Sequence, residues 1–427
     1  MWVDLMTIFP CLFVIILFLS PQLWVKPILG LPVDYILYPI WFAALFITGG
    51  FSNYKNSTTK YFIFFIIWMV LSSIANGSIF VEVKDIGNIL FYYFKLFLLY
   101  ILVANSLKDI KGLKYYMAFI VLGALILSIE GIQHKLTGIG WAGQRLGWVA
   151  PEALAAGETG RTRWVGIFDG PGVFCVIYIL AFPFALFGIK QAKYAALKIS
   201  SFIILILLSI AIYFNGSRGG MIGALAIIVL HYGQNIKLSK LKALAGILIA
   251  LAIYLSLPSY YTEINDSSKS TYHRIEMWRE STEMVIYNPV FGIGRGNFRP
   301  YTNKLDPHNS TLLILGETGF VGVFLWLTFI YMSLKNLYFY IRSSDDIFNV
   351  DFIKALALSV IGYYVCSLFV VLEYETFYLL LGACSAVGRL VDEEVTISKK
   401  ELLLIASGLS AFIVFVYIYS YWFLGNY

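Results

Sequence analysis

Apolar residues run along this chain in long, nearly unbroken stretches, not in the half-apolar periodicity of an element lying on a globular surface. A hydrocarbon layer roughly 30 Å thick is crossed by about 20 helical residues. Stretches of that order predict thirteen spans, near 3–20, 32–50, 61–77, 87–105, 115–132, 172–189, 199–214, 219–233, 243–258, 318–340, 353–372, 376–391 and 401–423. The expected fold is therefore an all-α, polytopic transmembrane bundle of about 12–13 spans, forming a single integral membrane domain over residues 1–427. Two connections are long, 133–171 and 259–307. The first span lacks a basic leader and a small-residue cleavage site, so a retained helix is expected there.

Composition excludes the soluble alternative. Apolar residues make up 59% and charged residues 13%, with a mean hydropathy of +0.78. Soluble domains carry about a quarter charged residues. Net charge is a modest +6, and no basic patch interleaved with aromatics points to nucleic acid as a partner. The four cysteines, Cys11, Cys175, Cys366 and Cys384, all fall inside apolar segments without a CxxC pair, which predicts packing and not metal or disulfide chemistry.

Lysine and arginine orient the chain. Alternate short loops hold Lys55 and Lys60; Lys108, Lys111 and Lys114; Lys190, Lys193 and Lys198; Lys237, Lys240 and Lys242; Lys335, Arg342 and Lys354; and Arg389, Lys399 and Lys400. These are 17 charges, against three (Lys26, Lys84 and Arg218) in the short loops of the other side. The expectation is a cytoplasmic N-terminus, with both long loops at the outer face of the membrane.

Charged groups near the membrane need individual reasons. Lys95 falls in mid-span, within Phe91-Tyr-Tyr-Phe-Lys-Leu-Phe. It either snorkels, pairs with an acid such as Glu130 or Glu373, or binds an anion in a cavity. Arg218 lies in the tight turn Asn215-Gly-Ser-Arg-Gly-Gly at a helix start. Guanidinium and helix N-terminus both suit phosphate oxygens, on a ligand or on a lipid headgroup. Residues 271–286 read as an amphipathic helix with Ile275, Trp278 and Val285 on one face, suited to lying on the outer membrane surface. Arg274 is one turn from Trp278. Gly292-Ile-Gly-Arg-Gly-Asn then reads as a flexible turn able to fold over a ligand. His308, in Asp306-Pro-His-Asn-Ser, stands where this loop meets the next span. It is one of four histidines, and imidazole is the side chain best matched to proton transfer near neutral pH, although an isolated histidine is commonly structural.

Taken together, these segments resemble the O-antigen ligase family, whose wider superfamily includes O-antigen polymerases and protein O-oligosaccharyltransferases. The most specific piece is His308-Asn309, nine residues, then Gly319-Phe-Val-Gly322-Val323. Asn215-Gly-Ser-Arg218-Gly, the Arg274-to-Trp278 spacing, Asn288-Pro-Val-Phe-Gly-Ile-Gly and Arg163-Trp-Val-Gly-Ile-Phe-Asp-Gly-Pro accompany it in the family's order. The resemblance implies a GT-C-like helical architecture and a metal-independent, inverting glycosyl transfer that uses no cofactor. The donor would be an undecaprenyl-diphosphate-linked glycan and the acceptor a hydroxyl on a lipid or another glycan, with membrane lipids as neighbours. It also implies His308 as the base, with Arg218 and Arg274, and further Lys95 and Arg163, on the diphosphate. Ligase and repeat-unit polymerase are both open on these residues. A polysaccharide-lipid transporter or flippase is a third reading, but such a protein should show repeated halves and charges along a transmembrane path. Here the polar candidates gather toward one face.

Overall fold

The computed structural model describes residues 5–51, 57–76, 83–147, 160–233, 264–302 and 305–425. Among these residues all regular structure is helical, apart from one isolated bridge between Ile139 and Arg145. Helices α1 (Leu5–Leu19), α2 (Val33–Ile47), α3 (Thr58–Ala75), α4 (Val83–Ser106) and α5 (Ile110–Thr137) precede the first long connection. After it come α6 (Pro171–Gln191), α7 (Ala195–Asn215) and α8 (Arg218–Gly233). Helix α9 (Ile264–Tyr287) leads to α10 (Ser310–Ser343), α11 (Ile347–Ser367), α12 (Glu375–Gly388) and α13 (Lys399–Gly425).

Among the described residues nine helices are long and apolar enough to cross a membrane, and Tyr35–Ile47, α8 and α12 are shorter apolar helices. They correspond to twelve of the thirteen expected spans; the span at 243–258 lies outside the described residues. The chain is thus a polytopic helical membrane protein. Helix α12 has only 14 residues, but every one of them is buried, packed by α4 and α10. A helix without lipid contact has no hydrocarbon thickness to match.

Lipid supplies no hydrophobic drive between spans, so close packing must hold them. Small residues allow it. Gly219 and Gly220 at the start of α8 lie against Phe369 and Cys175, and Gly223 faces Cys366. All four cysteines are buried and unbridged, as their apolar settings predict.

The start of α10 departs from expectation. The sequence places a span from 318, whereas the helix begins at Ser310, where the Asn309 side chain caps it by accepting the Leu312 N–H at 3.1 Å. The helix then breaks its pattern at Gly319, with φ 69° and ψ −172°, a conformation essentially restricted to glycine. The break frees carbonyls of the preceding turn. Ile293 N–H donates to Gly316 O (3.0 Å), Gly294 N–H to Glu317 O (2.9 Å) and the Trp68 indole to Thr318 O (3.0 Å). Phe320 N–H in turn donates to Pro289 O at 2.8 Å. The glycine-rich turn expected to close flexibly over a ligand is instead built into the kink. A Cβ on Gly292 would meet Gly316 O at 2.5 Å. Phe291 stacks on Trp68, with centroids 4.8 Å apart.

The two ends of the bundle differ. Lys114 reaches Asn349 Oδ1 (2.5 Å), Lys190 pairs with Asp351 (2.6 Å), Arg389 donates to Leu107 O (2.8 Å) and Lys335 pairs with Glu401 (2.6 Å). Among the described residues, the lysine-bearing connections after α4, α6, α10 and α12 therefore meet at one end. His231 belongs there too, lining a small cavity with Lys190, Asp351 and Lys354. The starts of α6, α8, α10 and α12 lie at the other end.

Candidate active site

Three elements converge at that second end. Helix α9 packs on α10 and α13 and buries Ile275, Met277, Met284 and Val285. The apolar face expected to lie on the membrane is therefore turned to protein. Trp278 has a protein partner as well: its indole N–H donates to Pro307 O at 2.9 Å, fastening the segment just before His308 to α9. The α11–α12 connection completes the junction. Its Phe369 packs on Gly219, next to Arg218, and its Leu372 N–H donates to Ser310 Oγ at 2.9 Å, two residues from His308. One short segment thus braces the starts of α8 and α10 together.

Arg218 is the first residue of α8, after the left-handed Gly216 (φ 72°) that ends α7. Among the described residues its guanidinium has no acidic or hydrogen-bonding partner. Arg274, half-buried, has an Nε shielded from solvent without a hydrogen-bond partner among them. Burial lowers the Arg274 pKa, and the fields of Arg218 and Arg161 lower it further against an opposing pull from Asp306. Two guanidinium groups this close, Arg218 and Arg274, without a hydrogen-bonded carboxylate among the described residues, are a candidate site for an anion.

His308 shares that environment. Its pKa is lowered by desolvation first, then by Arg274 and Arg299, while Asp306 opposes the shift. The ring is 47% exposed, so it remains reachable from outside the protein. An imidazole with a lowered pKa is neutral at physiological pH and able to accept a proton.

Arg163 and Lys95 lie differently. Arg163 pairs with Asp169 at 2.9 Å and donates through Nε to Arg145 O, tying down its own loop. Two residues earlier, Arg161 is the one in the field of Arg274, and Asn215 Nδ2 donates to Thr162 O (3.1 Å), drawing this segment toward the start of α8. The sequence reading missed Arg161. Both arginines stand in one stretch, and what distinguishes Arg163 is its pairing with Asp169.

Lys95 pairs with Glu375 at 2.5 Å, and its ammonium lies 5.3 Å from the Tyr92 ring centroid. An intramembrane ion pair was one expected reading for it, with Glu130 or Glu373; Glu375 is the partner found. Alongside lies a network that the sequence did not suggest. Arg295 bridges Glu317 and Glu373, the latter at 2.8 Å, and both carboxylates are almost fully buried. Glu317 also accepts the backbone N–H groups of Gly296 (3.0 Å) and Phe298 (3.2 Å), and Glu373 accepts the hydroxyls of Tyr93 (2.8 Å) and Tyr378 (3.2 Å). Tyr374 lies in the fields of both groups, of Arg299 and Asp306 as well as of Glu375 and Glu373.

The multi-pass bundle thus brings Arg218, Arg274 and the His308 imidazole to one end. Residues 203–327, less than a third of the chain, match the family model described as O-antigen ligase. The matched segment contains Arg218, Arg274 and His308 and leaves out Lys95, Arg161 and Arg163. None of the curated proteins matches the chain.

Proposed function

We propose that the protein transfers a glycan from an undecaprenyl-diphosphate carrier to an acceptor hydroxyl at the outer face of the bacterial plasma membrane, as an O-antigen ligase. The observation that carries this reading is the meeting of Arg218 and Arg274, without a matching carboxylate, beside the accessible His308. Orientation follows the charge bias: the end rich in lysine is cytoplasmic, which puts His308 outside.

In the proposed reaction the His308 imidazole takes the proton of the acceptor hydroxyl. The oxygen forms a bond to C1 of the glycan while the C1–O bond to phosphate breaks, and the electron pair leaves on the diphosphate. Arg218 and Arg274, with Arg161 near them, stabilise the charge that develops on the leaving group. Attack opposite the departing diphosphate inverts the anomeric centre. The glycosyl–diphosphate bond supplies the driving force, so no step calls on a metal or nucleotide. Lys95 and Arg163, already matched by carboxylates, act by holding α4 on α12 and by tying the Arg163 backbone segment to Arg145 and Asp169.

The test is transfer in proteoliposomes holding the full chain, a labelled undecaprenyl-diphosphate glycan and a panel of lipid and saccharide acceptors. Wild-type protein should transfer the label once per acceptor, and His308→Ala should not, at equal protein level. A ladder of products growing by repeat units would mark a polymerase instead. Undiminished transfer by His308→Ala removes the histidine from the chemistry.

A further inference from the structure

We propose that Asp306 is a positioning residue for His308: its carboxylate holds the ring with the proton on Nδ1 and leaves Nε2 bare to act as the base. This rests on reading His308 as the base. The geometry comes from one carboxylate with both oxygens committed. Asp306 Oδ1 accepts the His308 backbone N–H at 3.0 Å and lies 3.5 Å from His308 Nδ1. Oδ2 accepts a hydrogen bond from Arg299 Nη2 at 2.7 Å, a second restraint on the carboxylate. Asp306 is largely buried, whereas the histidine ring is half-exposed.

The histidine backbone fits the same purpose. His308 has φ 47°, one of two non-glycine residues among those described with a left-handed backbone. L-residues take that conformation seldom, and mostly where neighbouring groups fix it. Here the fixing groups are Asp306 on its N–H, the Trp278 indole on Pro307 O before it and the Asn309 cap after it. A left-handed residue between two fastened neighbours brings its ring back over the Asp306 carboxylate.

The charged and titratable groups around the pair are Arg299 on the one-turn helix Phe298–Tyr301, Arg274 on α9 and the neutral Tyr374 on the α11–α12 connection. Arg274 and Arg299 both disfavour an imidazolium, and Asp306 is the group that favours it. When Nε2 takes the acceptor proton, the ring becomes a cation inside a cluster of arginines. The Nδ1–H facing Asp306 gives that cation its counter-charge, and the Nε2 proton passes to water once the product has left. A 3.5 Å separation is long for a hydrogen bond and is expected to shorten as the ring becomes charged.

The test uses full-length protein labelled with 15N-histidine in detergent or nanodiscs. Four histidines give few signals, and His308→Ala identifies the one of interest. Wild-type His308 is expected as the Nδ1–H tautomer at neutral pH, contrary to the preference of the free histidine side chain. In Asp306→Asn its midpoint should fall, its tautomer should shift toward Nε2–H, and transfer should drop by more than about tenfold. The acid limb of the transfer profile should move down with the midpoint, a change that simple loss of folded protein does not produce. Asp306→Glu should restore part of the Nδ1–H population. An Nε2–H tautomer in wild-type protein overturns the proposal without any variant, as does an Asp306→Asn spectrum and midpoint equal to wild type. Failure of the functional reading looks different: His308→Ala would keep its transfer activity while the tautomer result stood.

Discussion

Replacing Arg295 by methionine keeps the apolar stem and removes the guanidinium from a site where two carboxylates depend on it. Glu317 and Glu373 are 3% and 2% exposed, and Arg295 bonds to both while lying 5.6 Å from the Tyr93 ring centroid. Removing one member of a buried ionic group costs about 3–5 kcal/mol, because the remaining charges have no partner. The lower end applies here. Glu317 keeps two backbone N–H donors and Glu373 keeps two tyrosine hydroxyls, and either acid can take up a proton. A loss of about 3 kcal/mol should lower the midpoint of thermal unfolding by several degrees, read by tryptophan fluorescence in detergent. Adding Glu317→Gln and Glu373→Gln to Arg295→Met should recover most of the loss, since neutral amides need no cation. A single variant as stable as wild type, or a triple variant no better than the single one, would refute the assignment of Arg295 as the clamp between the glycine-rich turn and α10.

Gly319→Ala should be more damaging than its size suggests. Its backbone conformation alone costs a non-glycine residue about 1–3 kcal/mol, and the added Cβ would meet Val290 C at 2.6 Å, so folded yield and transfer should fall together. Arg161→Gln should weaken transfer mainly through donor KM. Arg163→Gln, which breaks a half-exposed pair with Asp169, should leave transfer within about twofold, as weak surface pairs do; the reverse ranking would place the wrong arginine at the site. The pH profile should carry the sign of the His308 shift. The base must be neutral, and its pKa is lowered, so activity should persist below the ordinary imidazole value of about 6.5 and be lost only at more acidic pH. Arg299→Gln removes an opposing cation and should move that acid limb upward; an unmoved limb would separate His308 from Arg299.

The legible part of this protein is the part written in local pattern. Span positions follow from uninterrupted apolar runs, and twelve of them are helices among the described residues. Arg218, Arg274 and His308 stand out because each is a polar group that lipid and loop chemistry do not require. What the sequence could not supply was partnership across long separations. Lys95 and Glu375 are 280 residues apart, and Arg295 finds Glu317 and Glu373 only because α10 bends at Gly319. The glycines of 292–296 resemble a flexible loop until the freed carbonyls of that bend are known. Likewise, the apolar face of α9 carries the same pattern whether it meets lipid or α10. The Arg161–Arg163 ambiguity belongs to the same class, since a shift of two residues leaves composition unchanged while one guanidinium is captured by Asp169.

The central claim is tested most directly by binding of undecaprenyl diphosphate to purified full-length protein, comparing wild type with Arg218→Gln, Arg274→Gln and His308→Ala. Each arginine supplies charge-assisted contacts worth about 1.5–3 kcal/mol, so either glutamine variant should bind roughly 10- to 100-fold more weakly. His308→Ala should bind as wild type does while failing to transfer. Equal affinity across the two arginine variants and wild type would contradict a diphosphate site at Arg218 and Arg274.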